Sequence, residues 1–294
     1  MLDEVLLWLR PRAGGRYIDG TLGNGGHAAA ILAASEPDGT LLGLDADPDA
    51  LPVARARLEP FGERAVIVNA NFRELAQAVA DHEFGPADGI LLDLGMSSRQ
   101  LDVGGRGISF RNDEPLDMRF DPTSGESAAD LLNRADETEI ANVLYEYGEE
   151  HRSRRVARSI VRQRERAPLA TTSDLIEAVE DALGPKRGRI HPATKSFQAL
   201  RIAVNDELGA LDAVLPMAAS LLAPGGRLAV ISFHSLEDRR VKQFFRAGGS
   251  PEAPLTELTR KPAVPSPEEA ERNPRARSAK LRVAERTPLG GLSS

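Results

Sequence analysis

The chain of 294 residues has no cysteine. Disulfides, thiolate metal sites and cysteine nucleophiles are therefore all excluded, and the composition agrees with a reducing compartment. No apolar run approaches the roughly 20 residues that a bilayer span needs. The opening segment, MLDEVLLWLR, carries acids in place of the basic region and long apolar core of a signal peptide. A cytoplasmic protein with no membrane contact is expected. No histidine spacing suggests a metal site, so no metal is expected either, and His82 and His151 read as surface residues.

What is present is ample apolar material, 41 % of residues, with 28 % charged. That suffices for a sizeable core without staples. The net charge of −7 hides a division. Between His151 and Arg201 twelve Lys or Arg face five Asp or Glu, and from Glu271 to Arg286 six face two. Such basic segments in an acidic chain point to a nucleic-acid partner.

The first hundred residues alternate between strand-like and helix-like segments. Strands read at Arg16–Asp19, Thr40–Leu44, Ala65–Val68 and Gly89–Leu92; helices read at His27–Ala34, Asp49–Leu58 and Phe72–Ala80. This rhythm predicts an α/β fold with right-handed βαβ units and a parallel sheet. From about Gly104 to Ile190 the strands cease, and helices are predicted at Asp130–Asn133, Thr138–Tyr147, His151–Arg166 and Ser173–Leu183. A long helix from Thr194 to Leu222 then ends at Pro224-Gly225-Gly226, and Arg227–Phe233 resumes the sheet. Lys280–Ala284 is strand-like, and the stripe Leu6-Leu7-Trp8-Leu9 reads as core. The chain is thus expected to hold one discontinuous α/β domain, residues 1–108 and 193–294, interrupted by a helical insertion at 109–192.

The densest chemical signal is Asp19-Gly20-Thr21-Leu22-Gly23-Asn24-Gly25-Gly26-His27, between the first strand and its helix. Glycines there admit positive φ and close approach of a ligand, and the helix N-terminus offers free N–H groups. Asp45 closes the second strand, where a carboxylate can accept both hydroxyls of an adenosine ribose. Both lie at the carboxyl edge of the sheet, the usual binding crevice. Gly23 to Ala28 also satisfies the dinucleotide fingerprint, with Asp45 in the acidic position, so on this signal a nicotinamide oxidoreductase and a methyltransferase both stay open. Asn71-Phe72 after the third strand could bracket an adenine. Asp93 after the fourth, and Ser232 to Asp238 after a later strand, crowd polar residues onto the same edge.

On a helical wheel Arg154, Arg155, Arg158, Arg162 and Arg166 share one face, opposite Val156, Ala157, Ile160 and Val161. That face suits a phosphate backbone and salt-dependent binding. Arg272, Arg275, Arg277, Lys280 and Arg282 form a second cluster. Neither is interleaved with aromatics, so base stacking is not inferred for them.

Taken together these motifs resemble the RsmH (MraW) family of 16S rRNA cytosine-N4 methyltransferases. The resemblance runs through Tyr17–His27, Leu91–Asp102, Gly105–Phe110 with Pro115–Arg119, His191–Leu208, Ser232–Arg239 and Asn273–Arg282. It implies a Rossmann-like methyltransferase fold dependent on S-adenosylmethionine, with a mostly parallel seven-stranded sheet and an inserted helical domain that binds RNA. It implies a cofactor pocket lined by Gly25, Gly26, His27, Asp45, Phe72, Asp93 and Gln100. The substrate would be a cytosine in the decoding region of 16S rRNA within the small ribosomal subunit. Arg154, Arg155, Arg158, Arg162, Arg166, Lys195, Arg275, Arg277 and Lys280 are the candidate RNA contacts. A homodimer is compatible with the sequence, and a DNA amino-methyltransferase is the nearest enzymatic alternative. Two departures stand out. Asn24 replaces a glycine common in relatives and is expected to tolerate left-handed geometry. The chain also begins without the His-x-Pro-Val stretch that usually precedes Leu2–Leu6, which bears on one wall of the pocket.

The cytosine N4 lone pair is delocalised into the ring, so catalysis should rest on alignment with the methyl donor and on acceptors for the N–H groups. Asp93 and His234 are the catalytic candidates. The acid-Pro-Pro-aromatic signature of other amino-methyltransferases is missing, and no general base is assigned.

Overall fold

The computed structural model describes residues 1–95, 105–109, 112–186, 188 and 191–288. By contacts it divides into two compact units, residues 1–95 with 208–294, and residues 96–207.

The first unit is built on strands β1 (Arg16–Asp19), β2 (Thr40–Asp45), β3 (Ala65–Asn69), β4 (Ala87–Asp93), β5 (Leu222–Ser232), β6 (Gly249–Ser250), β7 (Ala253–Glu257) and β8 (Lys280–Arg286). They form one sheet in the order β3-β2-β1-β4-β5-β8-β7-β6. The first five are parallel, and β8 enters antiparallel beside β5. Seven strands were expected and eight are observed among the described residues: the two-residue β6 at the far edge is too short to leave a sequence pattern.

Strand alternation sends neighbouring residues to opposite faces, and both faces are covered. Ile18, Leu42, Leu44, Ile90, Leu92 and Val230 pack with Leu75 of α4 (Leu75–Asp81), with Leu211 and Leu215 of the helix Glu207–Leu221, and with Phe245. Tyr17, Leu41, Leu91, Ala229 and Val283 pack with α1 (Leu2–Leu9), α2 (Gly26–Ala34) and α3 (Leu51–Leu58). Strands buried on both sides read as continuous apolar runs, which is why the parallel part was visible in the sequence. In α1 only Val5 and Leu9 are buried; Leu7 is 69 % exposed, so the Leu6–Leu9 stripe is core along one helical face alone.

The second unit holds α5 (Ala128–Arg134), α6 (Glu137–Glu146), α7 (Ser153–Arg164), α8 (Thr172–Leu183) and α9 (Thr194–Asn205). Ser127, Asp136 and Thr171 cap three of them through their side chains, satisfying first-turn N–H groups. Leu132, Ile140, Leu144, Val156, Ile160, Leu175, Val179 and Leu200 form its own core.

Two expectations are corrected. The helix from Thr194 to Leu222 is two helices, because Asp206 adopts left-handed geometry (φ 45°, ψ 45°) between α9 and α10 (Glu207–Leu221). Helix α9, expected with the sheet, belongs to the second unit, so the units meet in sequence at 95/96 and 207/208 and not at 108/109 and 192/193. Strand β5 begins at Leu222 and carries Pro224-Gly225-Gly226 as a register shift opposite Ala87 and Gly89. No helix among the described residues is long and apolar enough to cross a membrane.

Candidate functional site

The carboxyl ends of β1, β2 and β4 converge through backbone-to-side-chain hydrogen bonds. Asp19 ends β1 and is 1 % exposed. Its Oδ1 accepts from the Thr21 N–H at 3.1 Å and from Thr21 Oγ1 at 3.4 Å. Thr21 Oγ1 in turn accepts from the Asp93 N–H at 2.6 Å, tying the end of β4 to the glycine turn. Burial is the largest effect on Asp19 and pushes its carboxyl up to about 6; His27 and the Thr21 N–H oppose it.

A carboxyl whose pKa is higher folded than unfolded holds its proton more tightly in the native state. Its contribution to stability therefore falls as pH rises from 3.8 to about 6, and is level above. Relative to an Asp19→Asn variant, the wild type should lose about 3 kcal/mol between about pH 4 and about pH 7. Urea melts of both proteins at the two pH values measure this, and a constant difference between them would show Asp19 ionised as readily as in the unfolded chain.

The turn itself is held by Asp45. Its Oδ2 accepts from the Gly23 N–H at 2.6 Å and its Oδ1 from the Asp47 N–H at 2.8 Å. Burial raises the Asp45 pKa and these two donors counter it. Gly23 and Gly25 take positive φ, 50° and 74°. Asn24 between them does not: the left-handed positions fall on its glycine neighbours, so the expected special geometry at Asn24 is not used. Gly43 lets the turn lie down on β2, since a Cβ there would come 2.7 Å from Leu22 Cδ1. Helix α2 then starts with Gly25 as its N-cap and no side chain capping it, which leaves its first N–H groups for a ligand.

His27, in the first turn of α2, reaches Asp93, Nε2 to Oδ2 at 3.5 Å. Burial lowers the imidazole pKa, but the bond to Asp93 and the charges of Asp93 and Asp19 outweigh it, and the net shift is upward. Among the described residues three buried atoms at this edge have no hydrogen-bond partner: Asn24 Oδ1, His27 Nδ1 and Asp93 Oδ1. Buried polar atoms are rarely left so, and three together make this edge the candidate place for a polar ligand.

Phe72 is half-buried against the core on the α4 face. Asn71 caps the turn that follows, its side chain accepting from the Arg73 N–H at 3.0 Å while its own N–H donates to Glu74. His234 likewise serves as N-cap of α11 (Ser235–Arg246): Nδ1 accepts from the Glu237 N–H at 3.4 Å, and Glu237 accepts from the Phe233 and His234 N–H groups. Nε2 of His234 lies 3.2 Å from Glu237 Oε1 but at an angle that makes no hydrogen bond. Gln100 lies outside the described residues.

The basic residues fare unequally. Arg154 and Arg155 are exposed and make no ion pair among the described residues. Arg158 pairs with Glu137 at 3.5 Å, and Arg162 pairs with Asp181. Arg166 is exposed and lies beyond the end of α7. Lys195 is exposed, its Nζ donating to the Glu149 carbonyl at 2.8 Å. In the second cluster Arg277 is exposed and Arg275 half-buried. Lys280 pairs with Asp238 at 3.4 Å, as does the buried Arg282 at 2.7 Å. Those ion pairs anchor β8 to α11, a role that charge counting along the sequence cannot separate from ligand binding.

A five-stranded parallel run with an antiparallel strand beside β5, and a glycine turn between β1 and its helix, define a Rossmann-like methyltransferase fold. Residues 1–287 match the model of the MraW methylase family. The chain is 52 % identical over 305 residues to the ribosomal RNA small subunit methyltransferase H of Thermomicrobium roseum, covering 99 % of this chain and 94 % of the relative. It is 50 % identical over 304 residues to the protein of the same name in Heliobacterium mobile, 97 % of each being covered. A solved rRNA methylase of Streptococcus thermophilus superposes with a TM-score of 0.44 at 12 % identity, over 97 % of this chain and 93 % of that one. The chain belongs to the MraW methylase family, which sets aside the nicotinamide reading of the glycine turn.

Proposed function

We propose that the protein transfers the methyl group of S-adenosylmethionine to the N4 amine of a cytosine in 16S rRNA of the small ribosomal subunit. The observation that carries this reading is the trio of unpartnered buried atoms on Asn24, His27 and Asp93, gathered beside the uncapped start of α2 and the anchored carboxylate of Asp45. Such a donor and acceptor set fits a zwitterionic nucleoside. Asp45 would hold the ribose hydroxyls with its remaining lone pairs. Gly26 and His27 would present backbone N–H groups to the carboxylate, while Gly25, its own N–H donating to the Leu22 carbonyl at 2.8 Å, would shape the turn around it. Phe72 would lie against the adenine, and Asp93 and Gln100 would complete the pocket.

When bound, the sulfonium supplies an electrophilic methyl group. The chain's own task is to hold the weakly nucleophilic N4 in line with it, and to accept the N–H protons. What supports Asp93 in this role is that His27 engages one carboxylate oxygen while the other has no partner among the described residues. The target base must be unstacked to enter. The helical insertion, with Arg154, Arg155, Arg158, Arg162, Arg166 and Lys195, would bind the RNA backbone, with Arg275, Arg277 and Lys280 as further contacts.

Incubation with small ribosomal subunits and methyl-labelled S-adenosylmethionine, followed by nucleoside analysis, tests the reaction. Label in N4-methylcytidine is expected; an unlabelled RNA from protein that binds the cofactor would overturn the substrate. For the insertion, Arg154→Ala and Arg155→Ala should each lower the salt slope of RNA binding by about one unit while weakening all sequences alike. Unchanged slopes would remove these two arginines from the interface.

A further inference from the structure

We propose that Tyr145 and His151 form a stacking platform for one unpaired nucleobase of the RNA substrate. This rests on the RNA-binding reading of the helical unit and names a contact that reading lacked. Tyr145 lies in the last turn of α6, directly after the buried Leu144, and points off the buried stripe: it is 57 % exposed. Among the described residues it is the one Phe, Tyr or Trp side chain so exposed. Leaving that much ring surface in water forgoes burial that an aromatic ordinarily supplies.

Tyr145 is not alone. The exposed His151 imidazole lies beside it, edge to face, with centroids 6.4 Å apart and planes at 64°. The loop carrying His151 is pinned against α9. Gln198 Nε2 donates to the Tyr147 carbonyl at 3.0 Å, and Lys195 Nζ to the Glu149 carbonyl at 2.8 Å. At Gly148 the backbone approaches so closely that a Cβ would fall 2.6 Å from the Lys195 carbonyl oxygen. A platform fixed in this way loses little freedom when a ligand settles on it.

Charge identifies the ligand. Lys195 donates to the loop at Glu149, and Arg154 and Arg155, both exposed and outside any ion pair among the described residues, begin α7 three and four residues after His151. The nearby Glu150 is buried, and its carboxylate is taken up by the Arg152 N–H at 2.9 Å and the Arg152 guanidinium at 3.8 Å. Aromatic faces near exposed cations are the pattern that holds a base and its phosphates in single-stranded RNA. In sequence the arginines have no aromatic among them; packing of α6 against α7 supplies it.

The test uses the full chain and a short fluorescein-labelled single-stranded RNA titrated over a salt series. Tyr145→Ala should bind about tenfold more weakly at every salt concentration with the slope unchanged, and Tyr145→Phe should bind as the wild type does. Tyr145→Gln provides a second helix-compatible truncation of the ring. An RNA with the same backbone but abasic sites should bind wild type and Tyr145→Ala alike. If Tyr145→Ala and Tyr145→Gln bind as the wild type while the Arg154 and Arg155 variants lose affinity and slope, the platform is refuted and the RNA-binding unit stands. If the arginine variants are also unaffected, both fall.

Discussion

Replacing Asp45 with alanine should weaken S-adenosylmethionine binding by about a hundredfold or more. Two contributions add. A charge-assisted hydrogen bond to a ligand hydroxyl contributes about 1.5–3 kcal/mol, and a ribose offers two. The same carboxylate also fixes the Gly23 and Asp47 N–H groups, so its removal frees the glycine turn whose positive-φ residues shape the start of α2. Asp45→Asn keeps one acceptor and should fall between. Calorimetry with S-adenosylhomocysteine measures the effect, and a thermal melt shows that the variant is folded. Near-wild-type affinity in a folded Asp45→Ala protein would remove Asp45 from the pocket.

Asp93→Asn should leave cofactor affinity within a few-fold of wild type and lower the single-turnover rate at saturating cofactor by about a hundredfold or more. One oxygen of this carboxylate faces His27 and the other is buried without a partner among the described residues. An amide can satisfy one of these positions as an acceptor but presents N–H to the other, so it cannot both keep His27 and take a proton from N4. The split between affinity and rate decides the role. Lost affinity with an unchanged rate at saturation would assign Asp93 to the cofactor alone.

The ends of the parallel strands were legible because each apolar run stops at an acid: Asp19, Asp45 and Asp93 close β1, β2 and β4 where solvent begins. The helical unit was legible because strand-like runs cease there and because α7 carries an apolar stripe. What pairs across the chain was not. Nothing local couples His27 to Asp93, or Lys280 and Arg282 to Asp238; those arise only when β4 lies beside β1 and β8 beside β5. The break at Asp206 was missed because an aspartate in left-handed geometry leaves no glycine or proline as a sign. Asn71 and His234, singled out for chemistry, are held by helix caps, a use that polar residues after strands commonly have.

The insertion between β4 and β5 also governs the order in which the molecule can be made. These strands are neighbours in the finished sheet, Asp93 opposite Ile231, yet the whole helical unit is synthesised between them. Until β5 emerges from the ribosome, the edge of β4 that it will cover stands open, with Ile90, Leu91 and Leu92 lacking part of their final burial. Closing so long a connection costs conformational entropy, and folded structure inside it shortens the flexible length that must be closed. The helical unit has its own core, so it can condense first and bring the two halves of the sheet within reach. A substitution that loosens its core, such as Leu144→Ala, would then act far from the sheet by prolonging the life of an unpaired strand. Its first symptom would be aggregation during synthesis, ahead of any loss of activity in the protein that does fold.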